Sequence, residues 1–351
     1  MPTEQQLREN PDLEKRMGFL RKFGTFSMAY STLKDGLDHF VTDQGYLAFA
    51  KIDRAIPFLS TTHVLANPVT SEDNLSQILR TFLSSNDDAC FWQVDKHLAS
   101  ILRVQFGFYA NKFGTETLIN TMEFTLKGKE MEDIRRYRNV CSRANVVVEE
   151  KKPDLQDFMS MRVISEEWID EKVVNSNELS FLARPMVYEQ EVDVRYRVAK
   201  VNGQIMAFAV YEPMYKYDQI SGYQVVIQRA CPGSPKGIID FIHLSMIESL
   251  KNEGISVFSL GLSPFSDIDD SKEGENPFTA SLFRNFYKHG NNLFGFKNLE
   301  FHKERYRGQK KPVYFCSLSK RPIKQILDAY RLCGVITLPN SYKLARAYFK
   351  G

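Results

Sequence analysis

The run RYRVAKVNGQIMAFAVYEP, residues 195–213, alternates apolar and polar side chains on both sides of Asn202-Gly203. Both positions of that dipeptide tolerate positive φ, so the pattern reads as two antiparallel strands joined by a two-residue turn. This is the strongest local constraint in the chain, and its neighbours extend it. YQVVIQR (223–229) reads as a third strand, Lys236 to Asn252 as a long helix ending at Gly254, and VFSLGL (257–262) as the next strand.

The first half gives a weaker version of the same order. Residues 12–24 are helix-like and end at Gly24, and YLAFAK (46–51) and THVLANPV (62–69) are apolar runs. Ser71 or Glu72 opens a helix whose Ile78, Leu79 and Phe82 are spaced for one buried face. CFWQV (90–94) reads as a buried strand, Asp95 caps the next helix, FGFYANKFG closes the unit and ETLINTMEFTL (116–126) is strand-like. Gly128 to Ala144 is a charged helix, VVVEE (146–150) a strand, and Lys151-Lys152-Pro153 a boundary. Leu155 to Ile169 is helical, with Phe158, Met161, Ile164 and Trp168 on one side. Two α+β units, each with a mostly antiparallel sheet, fit best. The division expected is 1–145 and 146–351, with no residue-level repeat between the units.

A length of 351 residues suits two domains. The net charge of +3 makes the global field weak, so a polyanionic partner needs bases gathered on one face. No run approaches the ~18 apolar residues of a membrane-spanning helix, and the N-terminus has no apolar signal core. A cytoplasmic protein is the expectation, with a peripheral place at the inner membrane face as its extension. The five cysteines are dispersed, and the six histidines show neither HxH nor HxxxH spacing. Neither a disulfide framework nor a structural metal is expected.

Four places draw attention as chemistry. Arg229 ends a strand and precedes CPGSPKG, a turn that opens a helix. Strand ends beside helix N-termini suit anions, although an Arg can also simply cover a sheet edge. Asp240, one turn into that helix, either complements its dipole or anchors an amino group. The helix over 128–143 carries Lys129, Arg135, Arg136, Arg138 and Arg143 behind acidic first turns. That order suits the macrodipole and equally a phosphate backbone. In FGFKNLEFHKERYRGQKKP (294–312), an extended reading puts Lys303 and Arg305 on one face with Glu304 pointing away. Such basic runs are commonly solvated surface.

From Phe23 to about Ser319 the order of short motifs resembles the C-terminal catalytic domain of the phosphatidylglycerol lysyltransferases. The matching words are Gly45-Tyr46-Leu47-Ala48, Ala66-Asn67-Pro68-Val69, Leu126-Lys127-Gly128-Lys129, Met206-Ala207-Phe208-Ala209, and Arg229 followed by Pro235-Lys236-Gly237. Leu260-Gly261-Leu262-Ser263-Pro264 and Phe296-Lys297-Asn298-Leu299 with Lys303 and Tyr306 complete them. The resemblance implies an α+β fold of two tandem GNAT-like (acyl-CoA N-acyltransferase-like) domains, with mixed, mostly antiparallel sheets flanked by helices. It implies transfer of an amino acid from aminoacyl-tRNA to a hydroxyl or amine acceptor, with a phosphatidylglycerol-type lipid first. Because the ester is already activated, no cofactor is implied.

The resemblance makes Lys303, Arg229 and Asp240 the candidate catalytic residues. Tyr306, Arg305, Gly261 and Tyr215 are candidate substrate contacts, and Lys129, Arg135, Arg136, Arg143 and Lys297 candidate tRNA contacts. Three departures stand out. Val226 occupies the position where lysine-selective members carry an acid three residues before the arginine, which argues against lysine. His302-Lys303-Glu304-Arg305-Tyr306 replaces F-K-x-K-Y, and the loop Ser266–Glu275 is unusually acidic. The family's large N-terminal membrane domain has no counterpart, so a flippase role is not expected. Competing readings are transfer to a small-molecule acceptor in natural-product biosynthesis, a coenzyme A-dependent N-acyltransferase, and a non-catalytic RNA-binding module. Pro232 and Pro235 lack two of the amide donors that a pyrophosphate cradle uses, which argues against acetyl-CoA. The basic tail from Lys320 to Gly351 holds an apolar stretch, 332–338, that suits either an anionic membrane surface or packing on the core.

Overall fold

A computed structural model describes residues 2–54, 60–170, 178–268, 274–290 and 295–335. Hairpin chemistry organises it. β7 (Arg195–Val201) and β8 (Gln204–Lys216) pair antiparallel, with Val201 opposite Gln204 and Asn202 and Gly203 both at positive φ. β9 (Gln219–Ala230) adds antiparallel to β8, α7 (Ile238–Asn252) crosses over, and β10 (Val257–Pro264) returns parallel to β9. The first half has the same plan. β1 (Asp38–Val41), β2 (Gly45–Ile52) and β3 (Thr61–Thr70) form a meander. α3 (Glu72–Leu83) crosses over, and β4 (Cys90–Val94) lies parallel to β3. α4 (Lys96–Phe106) then leads to β5 (Tyr109–Asn120). The Asp95 carboxylate accepts from the Leu98 N–H at 2.8 Å, as a capping residue should.

The two units do not keep separate sheets. Among the described residues eleven strands form one sheet, in the order β1-β2-β3-β4-β11-β5-β10-β9-β8-β7-β6, where β6 is Val147–Lys151 and β11 is Gln309–Ser317. The last strand of each half lies on the far side of the junction: β11 pairs with β4, and β5 pairs with β10. The exchange covers the edges that β4 and β10 would otherwise expose. α5 (Glu132–Arg143), on the N-terminal side of the expected boundary at 145, packs Ile134 and Cys141 into the core under α7. Along β7 and β8 the side chains alternate between two cores. Ala199, Ala207, Ala209 and Tyr211 face α7, whereas Val198, Phe208 and Val210 face α6 (Leu155–Asp170).

Two sequence expectations need correction. The strand expected over 116–126 begins earlier and stops at Asn120. Its side-chain carbonyl accepts from the Met122 N–H, and its main-chain carbonyl takes the Glu123 and Phe124 N–H groups, which makes a turn. The segment expected to be extended around Lys303 is the last turn of a helix, α9 (Phe296–Glu304). It follows α8 (Pro277–His289) and precedes β11, after which comes α10 (Ile323–Leu332). Cys333 and Val335 of the apolar tail stretch are buried in a core cluster, while 336–351 and positions 269–273 of the acidic loop lie outside the described residues. Ahead of the sheet, α2 (Pro11–Phe23) packs over β8 and β3, and α1 (Glu4–Glu9) packs against α2. Among the described residues no helix is long and apolar enough to cross a membrane.

One glycine fixes how α7 meets α5. Gly237 precedes α7 at φ 84°, and a Cβ there would lie 2.2 Å from the Tyr137 Cβ. Gly237→Ala is expected to cost about 3 kcal/mol, from the left-handed backbone plus the overlap. Gly233→Ala has a similar φ of 78° and nothing within 4 Å, so it should cost about 1 kcal/mol. Urea unfolding of the two variants checks the difference, and equal losses would refute the steric account.

Candidate active site

The site begins where two parallel strands part. β9 and β10 pair only from Gly222 to Gln224 and from Val257 to Ser259. Beyond Ser259, β10 shifts register against β5 and passes through Gly261 at φ 74°, whose N–H turns to the Ser259 hydroxyl at 3.0 Å. α9 fills the resulting gap with Lys303, whose ammonium donates to the Leu262 carbonyl at 2.7 Å. A Cβ on Gly261 would lie 3.8 Å from the Lys303 Nζ, so the amine sits against this kink. Lys303 is 5% exposed. Burial pushes its amine down to about 7, with Glu116 pulling the other way.

Beside it lies a second buried cluster. The Tyr306 hydroxyl donates to Asp240 Oδ1 at 2.8 Å, and the Arg305 guanidinium stands 3.6 Å from Asp240 Oδ2. His302 Nδ1 is 3.7 Å from the same carboxylate. Burial pushes His302 down to about 4 against the pull of Asp240, so its imidazole is neutral at physiological pH and Arg305 carries the counter-charge. His302 Nε2 is buried without a hydrogen-bond partner. His243, fully buried on α7, stands 6.3 Å from His302 between ring centroids. Its Nε2 contacts Gln228 Oε1 at 2.7 Å and its Nδ1 the Tyr211 hydroxyl at 2.9 Å. An amide oxygen can only accept, so Nε2 carries the proton and Nδ1 accepts from Tyr211. Burial, reinforced by His302 and Lys303, keeps this ring neutral too.

Lys303, Asp240, Tyr306, Arg305 and Gly261 of the sequence candidates therefore come together. Arg229 does not join them. Val210 of β8 pairs with Ile227 and Tyr211 with Val225, so Val226 is an extra residue that switches the alternation of β9. Gln228 consequently reaches His243 under α7, while Arg229 turns to the α6 face. There it pairs with Glu178 at 2.7 Å and lies 5.2 Å over the Trp168 ring. Tyr215 is also elsewhere, buried with the N-terminal helices and donating to Asp193 at 2.7 Å.

Lys129, Arg136 and Arg143 are exposed on and before α5, and Lys297 is exposed on α9, 5.6 Å over Tyr287. Arg135 is engaged within the fold, where its guanidinium donates to the Leu126 and Gly128 carbonyls and ties down the loop before the helix. Tyr137 was not singled out by the sequence, yet Arg305, Arg136 and Lys236 lie 4.9, 5.3 and 5.9 Å from its ring. It joins the basic face of α5 to the Asp240 cluster. His243 and Gln228 were missed as well. Nothing in their spacing marks them, because the contact depends on the bulge at Val226.

A family model described as phosphatidylglycerol lysyltransferase, C-terminal, matches residues 19–317. The phosphatidylglycerol lysyltransferase of Bacillus subtilis (strain 168) is 25% identical over 325 residues, covering 90% of this chain and 36% of the relative. That of Staphylococcus aureus (strain MRSA252) is 24% identical, covering 73% and 30%. The chain thus spans about a third of the length of the curated relatives it matches. The structure of L-PGS from Bacillus licheniformis superimposes with a TM-score of 0.75 at 24% identity, over 92% of this chain and 97% of that one. This likeness fixes the α+β fold.

Proposed function

The chain belongs to the phosphatidylglycerol lysyltransferase C-terminal family, and from that premise we propose that it moves an amino acid from charged tRNA to a hydroxyl-bearing lipid of the phosphatidylglycerol type. The observation that carries the reading is Lys303, an amine held near neutrality in the gap between β9 and β10. The acceptor hydroxyl adds to the aminoacyl ester carbonyl and gives its proton to the Lys303 amine. The ammonium so formed faces the oxyanion, then returns the proton to the departing ribose oxygen. A new ester replaces the old one, so no further energy source is required. Asp240, held by Tyr306 and Arg305, receives the α-ammonium of the aminoacyl group. Arg229 acts from the other face as a positioning residue, since its pair with Glu178 anchors the segment that follows.

Lys129, Arg136, Arg143, Lys236 and Lys297 supply the surface for the tRNA backbone. About four phosphate contacts predict that tRNA affinity falls on the order of 10²-fold between 50 and 200 mM salt. Arg136→Glu with Arg143→Glu should flatten that dependence in a filter-binding titration. An unchanged slope would place the tRNA on another face. A coenzyme A reading is disfavoured because Tyr137 packs against the start of α7, where a pyrophosphate would need free amides.

The deciding experiment incubates the protein with labelled aminoacyl-tRNAs and lipid vesicles, with a small-metabolite extract and acetyl-CoA as parallel arms. Labelled lipid supports the reading. Label only in a small metabolite favours the alternative acceptor, and acetylation of any acceptor overturns the tRNA-dependent mechanism.

A further inference from the structure

An apolar cavity of about 140 Å³ lies against the same two elements that hold Lys303. The Leu262 side chain lines it while the Leu262 carbonyl accepts from Lys303, and Phe296, which opens α9, forms another wall. Trp92, Phe283 and Ala329 close the far side, and Leu179, Ser180, Leu182 and Ala183 roof it. No Asp, Glu, Lys or Arg lines it among the described residues. Three polar side chains at its rim donate to the fold: Gln93 Nε2 to the Leu182 carbonyl at 2.7 Å, the Ser180 hydroxyl to the Leu332 carbonyl at 2.6 Å, and Trp92 Nε1 to His63 at 3.2 Å.

The volume is close to that of a dry protein cavity known to take benzene, roughly 150 Å³. It suits a branched aliphatic or aromatic side chain. An ammonium would meet no counter-charge among the lining side chains. The roof is held at both ends. Arg229 holds Glu178 at its start, and the Lys34 ammonium donates to the Phe181 and Ala183 carbonyls.

We propose that this cavity holds the side chain of the amino acid being transferred, and that the chain selects an apolar aminoacyl group. The inference rests on the transfer reading above and deepens it. A short segment of a lipid tail has the same chemistry, so the test separates the two sources.

Thermal-shift titrations of the full chain compare leucinamide, phenylalaninamide, lysinamide and 1-hexanol, and transfer is measured across aminoacyl-tRNAs. Leucinamide or phenylalaninamide should bind at least tenfold more tightly than lysinamide, a ratio in the range that one apolar pocket supplies. Ala329→Leu, which fills the cavity, should abolish that binding and leave uncharged tRNA binding intact. Should that variant not fold, Phe296→Leu enlarges the cavity from the other wall and should improve tryptophanamide binding about tenfold. Lysinamide binding as well as leucinamide overturns the proposal. So does hexanol binding that alone responds to Ala329→Leu, or selectivity that neither variant alters. If the amides bind in the expected order but no charged tRNA supports transfer, the apolar amino-acid site stands and the transfer reading fails.

Discussion

Lys303→Met is expected to lower transfer by on the order of 10²–10⁴-fold, the usual range for a lost proton carrier, while making the protein more stable. The two effects share one cause. The Lys303 amine falls from 10.5 to about 7 because burial disfavours its charge. At about 1.4 kcal/mol per pH unit, the charged form costs the fold about 5 kcal/mol. The sign follows from proton counting. Between about pH 7 and 10.5 the unfolded chain keeps the proton and the native chain has released it, so stability rises with pH across that window. Below about pH 7 both states are protonated and the full penalty applies. Met removes the penalty but also the donor to the Leu262 carbonyl, at a loss of about 1–2 kcal/mol. The net gain should be about 3 kcal/mol at pH 6 and should vanish towards pH 10. Urea unfolding at pH 6 and pH 9 reads it directly. Wild-type transfer should rise with pH through about 7, and Lys303→Arg, which cannot release its proton, should stay inactive throughout. A variant less stable than wild type at pH 6, or an Arg variant that works, would remove Lys303 from the role of base.

Local chemistry made much of the fold readable. Asn202-Gly203 marked the hairpin, CFWQV marked β4 to the residue, and Asp95 marked the start of α4, because each signal depends on near neighbours. The exchange of β5 and β11 was invisible, since strand pairing across well over a hundred residues leaves no periodic trace. Within the site, the words around Lys303, Tyr306, Asp240 and Gly261 pointed to residues that do converge. The helix at 296–304 was misread as extended because alternating aromatic and basic residues mimic a period of two. Arg229 shows a subtler limit. Its strand was legible, but its face was set by a single bulged residue, Val226, and a one-residue shift inverts every side chain beyond it. Tyr137 and Lys236 meet Arg305 only because α5, the turn before α7 and the end of α9 converge in space.

Arg184→Met should be among the most destabilising single substitutions, at about 3–5 kcal/mol, with a fall in Tm on the order of 10 °C. The Arg184 side chain is 1% exposed and pairs with Glu191 and Glu212, both fully enclosed. Glu212 also accepts from the Ser31 hydroxyl at 2.7 Å, and Glu191 from the Tyr196 hydroxyl at 3.1 Å. Burial acts against the charge on the guanidinium, but the two carboxylates hold it on. Burial also raises the Glu191 carboxyl above its ordinary value, opposed by Arg184 and aided by Glu212. Removing the cation leaves two negative charges in one dry site. Burial already raises the Glu191 carboxyl, and without Arg184 it should take up a proton more readily, so the gap between variant and wild type should narrow as pH falls. Glu191→Gln in the Arg184→Met background should recover part of the loss, giving a coupling term that a neutral contact would not show. The consequence extends to the cavity. Arg184 follows Ala183, the end of its roof, which Lys34 also holds through the Phe181 and Ala183 carbonyls. Loss of the Arg184 anchor should therefore weaken leucinamide binding more than tRNA binding. Equal weakening of both ligands would mean that the buried triad supports the fold at large and has no special hold on the cavity.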